Sequence, residues 1–455
     1  MNQRRFRVLT GSCLLTALFF LLNVPGAAGE SVTITIDEAV QRALDNSINL
    51  KKGAIDLAQA GYSANRLWSE IFPGISLSAG LTFLPSSPLF TEPGFSYNDD
   101  ALSYSLNLGL SLALNPSIRS SMRRIELAYR SELLTYEQAA QQLEIQVIKN
   151  FLGLVNSREH IAFMQESLDI AIQNLNQDRI AWQNGMLNEL TWLNSQLSTE
   201  TARYNLNMAQ GAYQIALEEF LTLLDMDTGT DLILAGTIEI VPIYYYPEEL
   251  ILMYLHRRPD IIRQHQTIER LELIRNGTTH SNRSPTLDLG TQWRGGSPTS
   301  GQRGGLSDQF TDNITGSVTL RIPIDAWIPG TRQSQNIRAA NSELEKAHLD
   351  LQNTQTQAKA QIRSLVLNLN NTIESLEIAR LRMEIAQRTV EATEIGFRNG
   401  TVQYRVLEET RRDLADARQR FLNGELSYQS MFLDLAAALN VDWRVLSGVE
   451  SRYLP

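Results

Sequence analysis

Cysteine is almost absent from this chain, and the single one, Cys13, lies inside the apolar N-terminal stretch 8–24. Arginines precede that stretch and small residues occupy 26–29 after it, which is the order of parts in a secretory signal peptide. The residues before Cys13 are a poor context for lipid attachment, which disfavours a lipoprotein. We therefore expect residues 1–29 to be removed, leaving a mature chain that starts near Glu30 and folds without disulfides.

The sequence also lacks a basic excess and a second long apolar run. Its 40 Lys and Arg against 50 Asp and Glu give a formal net charge of −10, so nothing attracts the chain to nucleic acid. Without another stretch of about 18 apolar residues there is no helical membrane span, and a membrane crossing would need strands. The five histidines show no metal spacing. No nucleophile, phosphate loop or cofactor motif stands out, so we expect no enzyme, metal or cofactor.

What the sequence has is an internal repeat. Asn184-Gly185 recurs 215 residues later as Asn399-Gly400, and the same offset superposes apolar residues at every seventh position. A seven-residue apolar period is the seam of a left-handed coiled coil, so each copy predicts a long antiparallel helix pair. Before the turn, the paired residues are Val147 and Ile362, Leu154 and Leu369, Ile161 and Leu376, Leu168 and Met383, Leu175 and Val390, and Trp182 and Phe397.

Each copy also contains two segments with a period of two, in which apolar and polar residues alternate. They are 75–84 and 102–114 in the first copy, and 286–295 and 314–324 in the second. About ten residues with one apolar and one polar face is typical of a transmembrane β-strand, although a soluble sandwich with one wet face fits the strands alone equally well. Asp288, Arg294 and Arg321 lie on the polar faces, where they would line a barrel lumen or form a salt-bridged wall.

Strand number and helix length predict an assembly. Four strands are too few to close a barrel, and open edges are not tolerated in lipid, so several copies must share one barrel; three would supply twelve strands. Helices 117–182 and 332–397 would each span about 100 Å. In the first copy, helices 38–70 and 189–225 together match that length and would stack beside the long helix.

These patterns divide the chain into segments. The first repeat is 30–225, with Asp37 as the N-cap of its first helix, and the second is 258–440, which ends in helix 404–440. An irregular linker is predicted at 226–257 and a tail at 441–455.

Four short motifs follow one another along the second half of the chain. With them the sequence resembles the TolC-like outer membrane efflux proteins over essentially the whole mature chain. The motifs are Arg258-Pro259-Asp260-Ile261 opening a helix, Pro285-Thr286-Leu287-Asp288-Leu289 entering a strand, Ile322-Pro323-Ile324 leaving one, and Phe397-Arg398-Asn399-Gly400 before Val406-Leu407-Glu408.

The resemblance implies a mainly α protein with a membrane β part: a homotrimeric channel-tunnel. A shared 12-stranded β-barrel, four strands per chain, would sit in outer-membrane lipid and continue into a 12-helix coiled-coil α-barrel in the periplasm. It implies a passive exit duct for drug and small-molecule efflux or type I secretion. Its partners would be a periplasmic adaptor and an inner-membrane transporter of the ABC, RND or MFS class. The alternative is a periplasmic coiled-coil adaptor or envelope scaffold.

The resemblance also points to an entrance. In the family an acidic stretch just after the second tip turn rings the tunnel mouth. The matching residues are Arg405 to Glu408, with one residue fewer after Gly400, so Glu408 stands for one acid and Arg405 replaces another. Glu408 and Glu409 are the entrance candidates, and a solvated helix face is the alternative.

The two Asn-Gly turns are the second set of candidates. Asn184, Gly185, Asn399 and Gly400 would be hinges or adaptor-docking points at the periplasmic tips, or plain helix connections.

Overall fold

The computed structural model describes residues 32–84, 101–236, 241–296 and 311–447. The predicted leader 1–29, most of the two loops between the strands of each pair, and the end of the predicted tail lie outside the described residues.

Helices make up most of the described chain. They are α1 (Ile36–Asn46), α2 (Ile48–Ala64), α3 (Ile118–Gln183), α4 (Glu189–Leu223), α5 (Pro247–Tyr254), α6 (Pro259–Arg283), α7 (Arg332–Arg398), α8 (Tyr404–Leu439) and α9 (Trp443–Leu446). The strands are β1 (Val32–Ile34), β2 (Gly74–Leu84), β3 (Ala101–Leu114), β4 (Leu232–Leu234), β5 (Thr286–Gly296) and β6 (Thr311–Arg321).

The two longest helices organise everything else. Helix α3 packs against α1, α2 and α4, and α7 packs against α5, α6 and α8. At 66 and 67 residues, each long helix is about 100 Å long, so two shorter helices cover it in succession. Contacts of α3 with α6 and with α8 join the two copies into one body.

The prediction of one helix over 38–70 is wrong. Ser47 has ψ 119°, outside the helical region, and its side chain accepts a hydrogen bond from the amide of Leu50. Serine competes in this way for backbone donors, so α1 ends and α2 begins here. The N-cap is Thr35 and not Asp37, because Thr35 and Glu38 form a reciprocal capping box. A short 3₁₀ turn at Leu67–Ile71 replaces the last predicted helical residues.

The prediction that 226–257 is irregular is also wrong in part. Strand β4 pairs in parallel with β1, and Pro247 begins α5 in the first helical turn, where a missing N–H has no cost. The segment therefore connects residues 32–34 to the join between the copies. Likewise the last strand lies three residues earlier than predicted, because Pro323 has no N–H to continue the ladder.

The larger sheet has the order β2-β3-β5-β6, and all of its pairs are antiparallel. Its register keeps one kind of side chain on each face. Across the sheet Leu77 pairs with Leu108, Leu108 with Trp293, and Trp293 with Ile314. One face is therefore apolar from edge to edge and the other is polar.

The best-packed core lies near the middle of the helical body. Buried there are Phe151 of α3 with Phe220 of α4, and Val366 of α7 with Phe432 of α8. Toward the tips α3 packs against α4 and α7 against α8, and contacts between α3 and α8 connect the two hairpins.

Candidate functional site

The two tip turns have the same geometry. Gly185 and Gly400 have φ of 69° and 72°, a region in which side chains other than glycine are strained. In each turn the amide after the glycine, that of Met186 or Thr401, donates to the carbonyl four residues before the glycine, at 2.8 and 2.9 Å. This is the bonding of a Schellman helix end. Asn184 and Asn399 are the C-cap residues of α3 and α7.

The first tip is held by aromatic stacking. The rings of Trp182 and Trp192 lie parallel, with 4.6 Å between centroids and 5° between planes. One turn deeper, the hydroxyl of Ser195 donates to the buried carboxylate of Asp178. Asn188 caps α4 by accepting a hydrogen bond from the amide of Thr191 at 2.8 Å.

The second tip is held by charges. Arg411 of α8 contacts Glu394 of α7 at 2.8 Å and Glu408, on its own helix, at 3.6 Å. Glu408 also accepts a hydrogen bond at 2.7 Å from Asn174, a buried residue of α3. Glu408 thus links the second hairpin to the long helix of the first.

The three predicted entrance residues therefore have different surroundings. Glu408 is partly buried in the seam, whereas Arg405 and Glu409 are exposed on the first two turns of α8. At positions i, i+3 and i+4 of α8 the three lie near one another, but Arg405 forms no ion pair with either glutamate within the described residues. The sequence reasoning missed Asn174 and Arg411. The signal that could have found Asn174 is its polar side chain on a buried seam of α3.

The polar face of the sheet holds the other predicted residues. Arg321 lies 3.9 Å from Asp288, and the Nε of Arg294 donates to Asn107 at 2.9 Å. These three residues share the polar face, and their contacts cross from strand to strand as a salt-bridged wall would.

The opposite face of the sheet is apolar and uncovered. Its side chains at the two edges are largely exposed in the single chain, with Leu77 at 69% and Val318 at 75% of their full accessible area. An exposed apolar surface of this extent marks an interaction with protein or lipid.

No helix in the described part of the chain has the length and apolarity needed to cross a bilayer. Across the described ranges, no group of three His, Cys, Asp or Glu side chains is arranged to hold a metal ion.

Known proteins of similar sequence and fold include bacterial outer membrane channels. The chain is 23% identical over 433 residues to outer membrane protein TolC of Escherichia coli K12, covering 92% of this chain and 84% of TolC. The crystal structure of the Campylobacter jejuni CmeC outer membrane channel has a TM-score of 0.70 at 18% identity, covering 92% of this chain and 90% of CmeC. Outer membrane protein VceC of Vibrio cholerae has a TM-score of 0.70 at 14% identity, covering 90% and 96%.

The two helical repeats also correspond to a family model. The model described as outer membrane efflux protein matches residues 39–224 and 251–441, which are most of both copies. The chain belongs to the outer membrane efflux protein family.

Proposed function

We propose that this chain is one subunit of a passive exit duct in the outer membrane, extending into the periplasm as part of a tripartite export system. The observation that carries the proposal is the sheet, which presents a continuous apolar face on one side and a polar face on the other. Such a sheet fits lipid outside and water inside. Helix pairs about 100 Å long continue from it and would cross much of a periplasm.

The sheet supports a trimer. Its edge strands are β2 and β6, and within the described residues neither has a partner on its outer side. Unpaired strand edges are not stable in lipid, so β2 of one copy must pair with β6 of the next. Three copies would close twelve strands, with the polar faces inside.

The helices support the same assembly. Apolar side chains three, four or seven residues apart form an exposed stripe on α4, and a sparser stripe on α7 has this spacing at Ile378, Leu381 and Ile385. Stripes with this spacing are seams without a partner helix, and neighbouring copies would bury them. The residues are Leu190, Leu193, Leu197, Tyr204, Met208 and Ile215 on α4, and Leu349, Leu367, Ile378, Leu381, Ile385 and Ile395 on α7.

The helix tips are the proposed gate. Arg405 and Glu409, exposed at the start of α8, would face the entrance, and Glu408 would hold the second hairpin closed through Asn174. The turns at 184–185 and 399–400 would be the docking points for a periplasmic adaptor. The adaptor would open the duct by binding the open arrangement more tightly than the closed one.

In this proposal the partner proteins supply the energy for export and select the substrate. An inner-membrane transporter would drive export, of drugs and small molecules or of secreted protein. The chain's own contribution is the path: Asp288, Arg294 and Arg321 on the polar face of the sheet would line its outer end.

The proposal is tested by membrane behaviour. Purified chain should need detergent, migrate as a trimer on gels until heated, and conduct in planar bilayers. Replacing Val318, on the apolar face, by arginine should weaken insertion, because a cation facing lipid is destabilising, by up to about 2–4 kcal/mol at the midplane and less toward the interfaces. The matched control is Thr319→Arg, one residue away on the polar face, which should insert and change only conductance.

A water-soluble monomer without detergent would overturn the duct and favour the periplasmic scaffold. Equal insertion of both arginine variants would show that the apolar face does not contact lipid.

A further inference from the structure

Exposed aromatic rings mark the two outer corners where helices meet the sheet. Trp68 and Phe72 come just before β2, with 54% and 55% of their accessible areas exposed, and their rings meet edge to face at 5.4 Å. Trp327, 65% exposed, lies in a short turn after β6. These rings lie next to the helical ends of the two edge strands, β2 and β6.

An arginine without a carboxylate partner accompanies each corner. The guanidinium of Arg66 lies 4.2 Å from the ring centre of Tyr62, and that of Arg283 lies 4.9 Å from the ring centre of Trp327. Neither arginine forms an ion pair within the described parts of the chain. The Nε of Arg283 is buried with no hydrogen-bond partner there. Each corner also has one acid in its turn, Glu70 or Asp325, but neither acid pairs with Arg66 or Arg283 within the described residues, so both guanidinium groups are available to a further anion.

Sheet topology would bring the two corners together in the assembly. This step rests on the proposed function, in which β2 of one copy pairs with β6 of the next. Strand β2 begins, and β6 ends, at the helical end of the sheet. Trp68 and Phe72 of one copy would therefore lie beside Trp327 of the next copy, with Arg66 and Arg283 at the same level.

We propose that each joint between neighbouring copies, at this level, is a binding site for an anionic phospholipid of the periplasmic leaflet. The rings of Trp68, Phe72 and Trp327 contact the upper acyl chains, as tryptophan does at membrane interfaces. Arg66 and Arg283 bind the phosphate, since basic pockets between subunits suit anionic headgroups. Three equivalent joints give three lipids per trimer.

The occupant is lipid and not a protein helix because of position and charge. The joint continues the apolar face, whose height the acyl chains cover, so its rings fall where headgroups begin. The two guanidinium groups, without an ion pair in the described residues, favour a ligand with a negative charge. A zwitterionic lipid supplies acyl chains but no net charge, which makes lipid charge the variable to test.

The experiment uses intact trimers of the full chain in mild detergent. Phosphatidylglycerol or phosphatidylcholine is titrated in, and retained lipid is counted by native mass spectrometry. We expect preferential retention of phosphatidylglycerol, weakened about fivefold by Arg66→Gln and about 25-fold by Arg66→Gln with Arg283→Gln. Arg263→Gln is the control: this exposed arginine of α6 is about 30 Å of helix away from the sheet and should leave retention unchanged.

Conductance and trimer content are measured on the same samples. Trimers that conduct but retain phosphatidylglycerol and phosphatidylcholine equally would overturn the lipid site and leave the duct intact. The same conclusion would follow if Arg263→Gln reduced phosphatidylglycerol retention as much as the double variant does. If no trimers form, the joint does not exist and both proposals fall. Preference for phosphatidylglycerol should also weaken as salt is raised, because the contact is electrostatic.

Discussion

The two helical hairpins have the same turn geometry, but different side-chain contacts stabilise their tips. Positions 215 residues apart superpose, so Leu190, Leu193 and Asn194 of the first tip correspond to Arg405, Glu408 and Glu409 of the second. One tip is held by two stacked tryptophans and exposes apolar side chains. The other is held by an arginine between two glutamates.

The difference teaches that the two tips can open by different means. Stacked rings are insensitive to salt and pH, whereas partly exposed ion pairs weaken with ionic strength. In the proposed gate the first hairpin would therefore be the fixed wall and the second the part that moves. The predictions below test that division, starting from the largest effect.

Removing the ring stack should loosen the first tip most. Trp192→Ala deletes a partly buried ring that stacks on Trp182, and we expect a loss of about 2–3 kcal/mol in local stability. Hydrogen exchange of residues 176–198 would accelerate accordingly. The neighbouring exposed Gln196→Ala, outside the apolar stripe of α4, is the control and should change local stability by less than about 0.5 kcal/mol. Unchanged exchange in Trp192→Ala would show that the stack does not fasten this tip.

Breaking the ion pairs should open the second tip. Arg411→Gln leaves Glu394 and Glu408 in the seam without a cation, and we expect a loss of about 1–2 kcal/mol and a larger single-channel conductance. Arg412→Gln is the matched control, because Arg412 is exposed and forms no ion pair in the described parts of the chain. Equal conductance in both variants would remove Arg411 from the gate.

Changing the N-cap residues of α4 and α8 should make the stabilities of the two tips more alike. Asn188 caps α4, but Gln403, at the equivalent position before α8, makes no cap hydrogen bond. Asn188→Ala should therefore cost about 1 kcal/mol, and Gln403→Asn should gain a similar amount. Exchange rates in the first turns of α4 and α8 measure both. Slower exchange in Asn188→Ala would contradict the assignment.

The sequence predicted the helices and strands that have a periodic pattern of apolar residues. The seven-residue ladder and the Asn-Gly turns predicted both hairpins, because their apolar spacing is local and repeated. It did not predict the break at Ser47, where one side chain competes with the helix, or the three-residue pairing of β1 with β4, which is too short for a pattern. The contact of Asn174 with Glu408 joins residues 234 apart, so only the folded chain shows that an entrance candidate is a seam residue.

A carboxylate deeper in the second hairpin offers the finest comparison. Glu425 is partly buried, and burial, followed by the negative charge of Glu159, raises its pKa above the ordinary glutamate value. The first copy has Gln210 at the equivalent position. Glu425 is therefore affected by a carboxylate of α3, in the first copy, whereas Gln210 is exposed.

Glu425→Gln should stabilise the protein at neutral pH, by less than about 1 kcal/mol. Because its pKa is higher in the folded chain, the folded state holds the proton more tightly, so stability falls as pH rises from the unfolded to the folded pKa of Glu425. Above that interval the penalty is complete and the variant should melt at a higher temperature than the parent. Below it Glu425 is protonated in both states, and the melting temperatures should converge. Gln210→Glu is the matched control: Gln210 is exposed, so the added carboxylate should leave the melting temperature nearly unchanged at either pH. A Glu425→Gln variant that gains the same stability at acidic as at neutral pH would show that packing, and not charge, separates the two copies here.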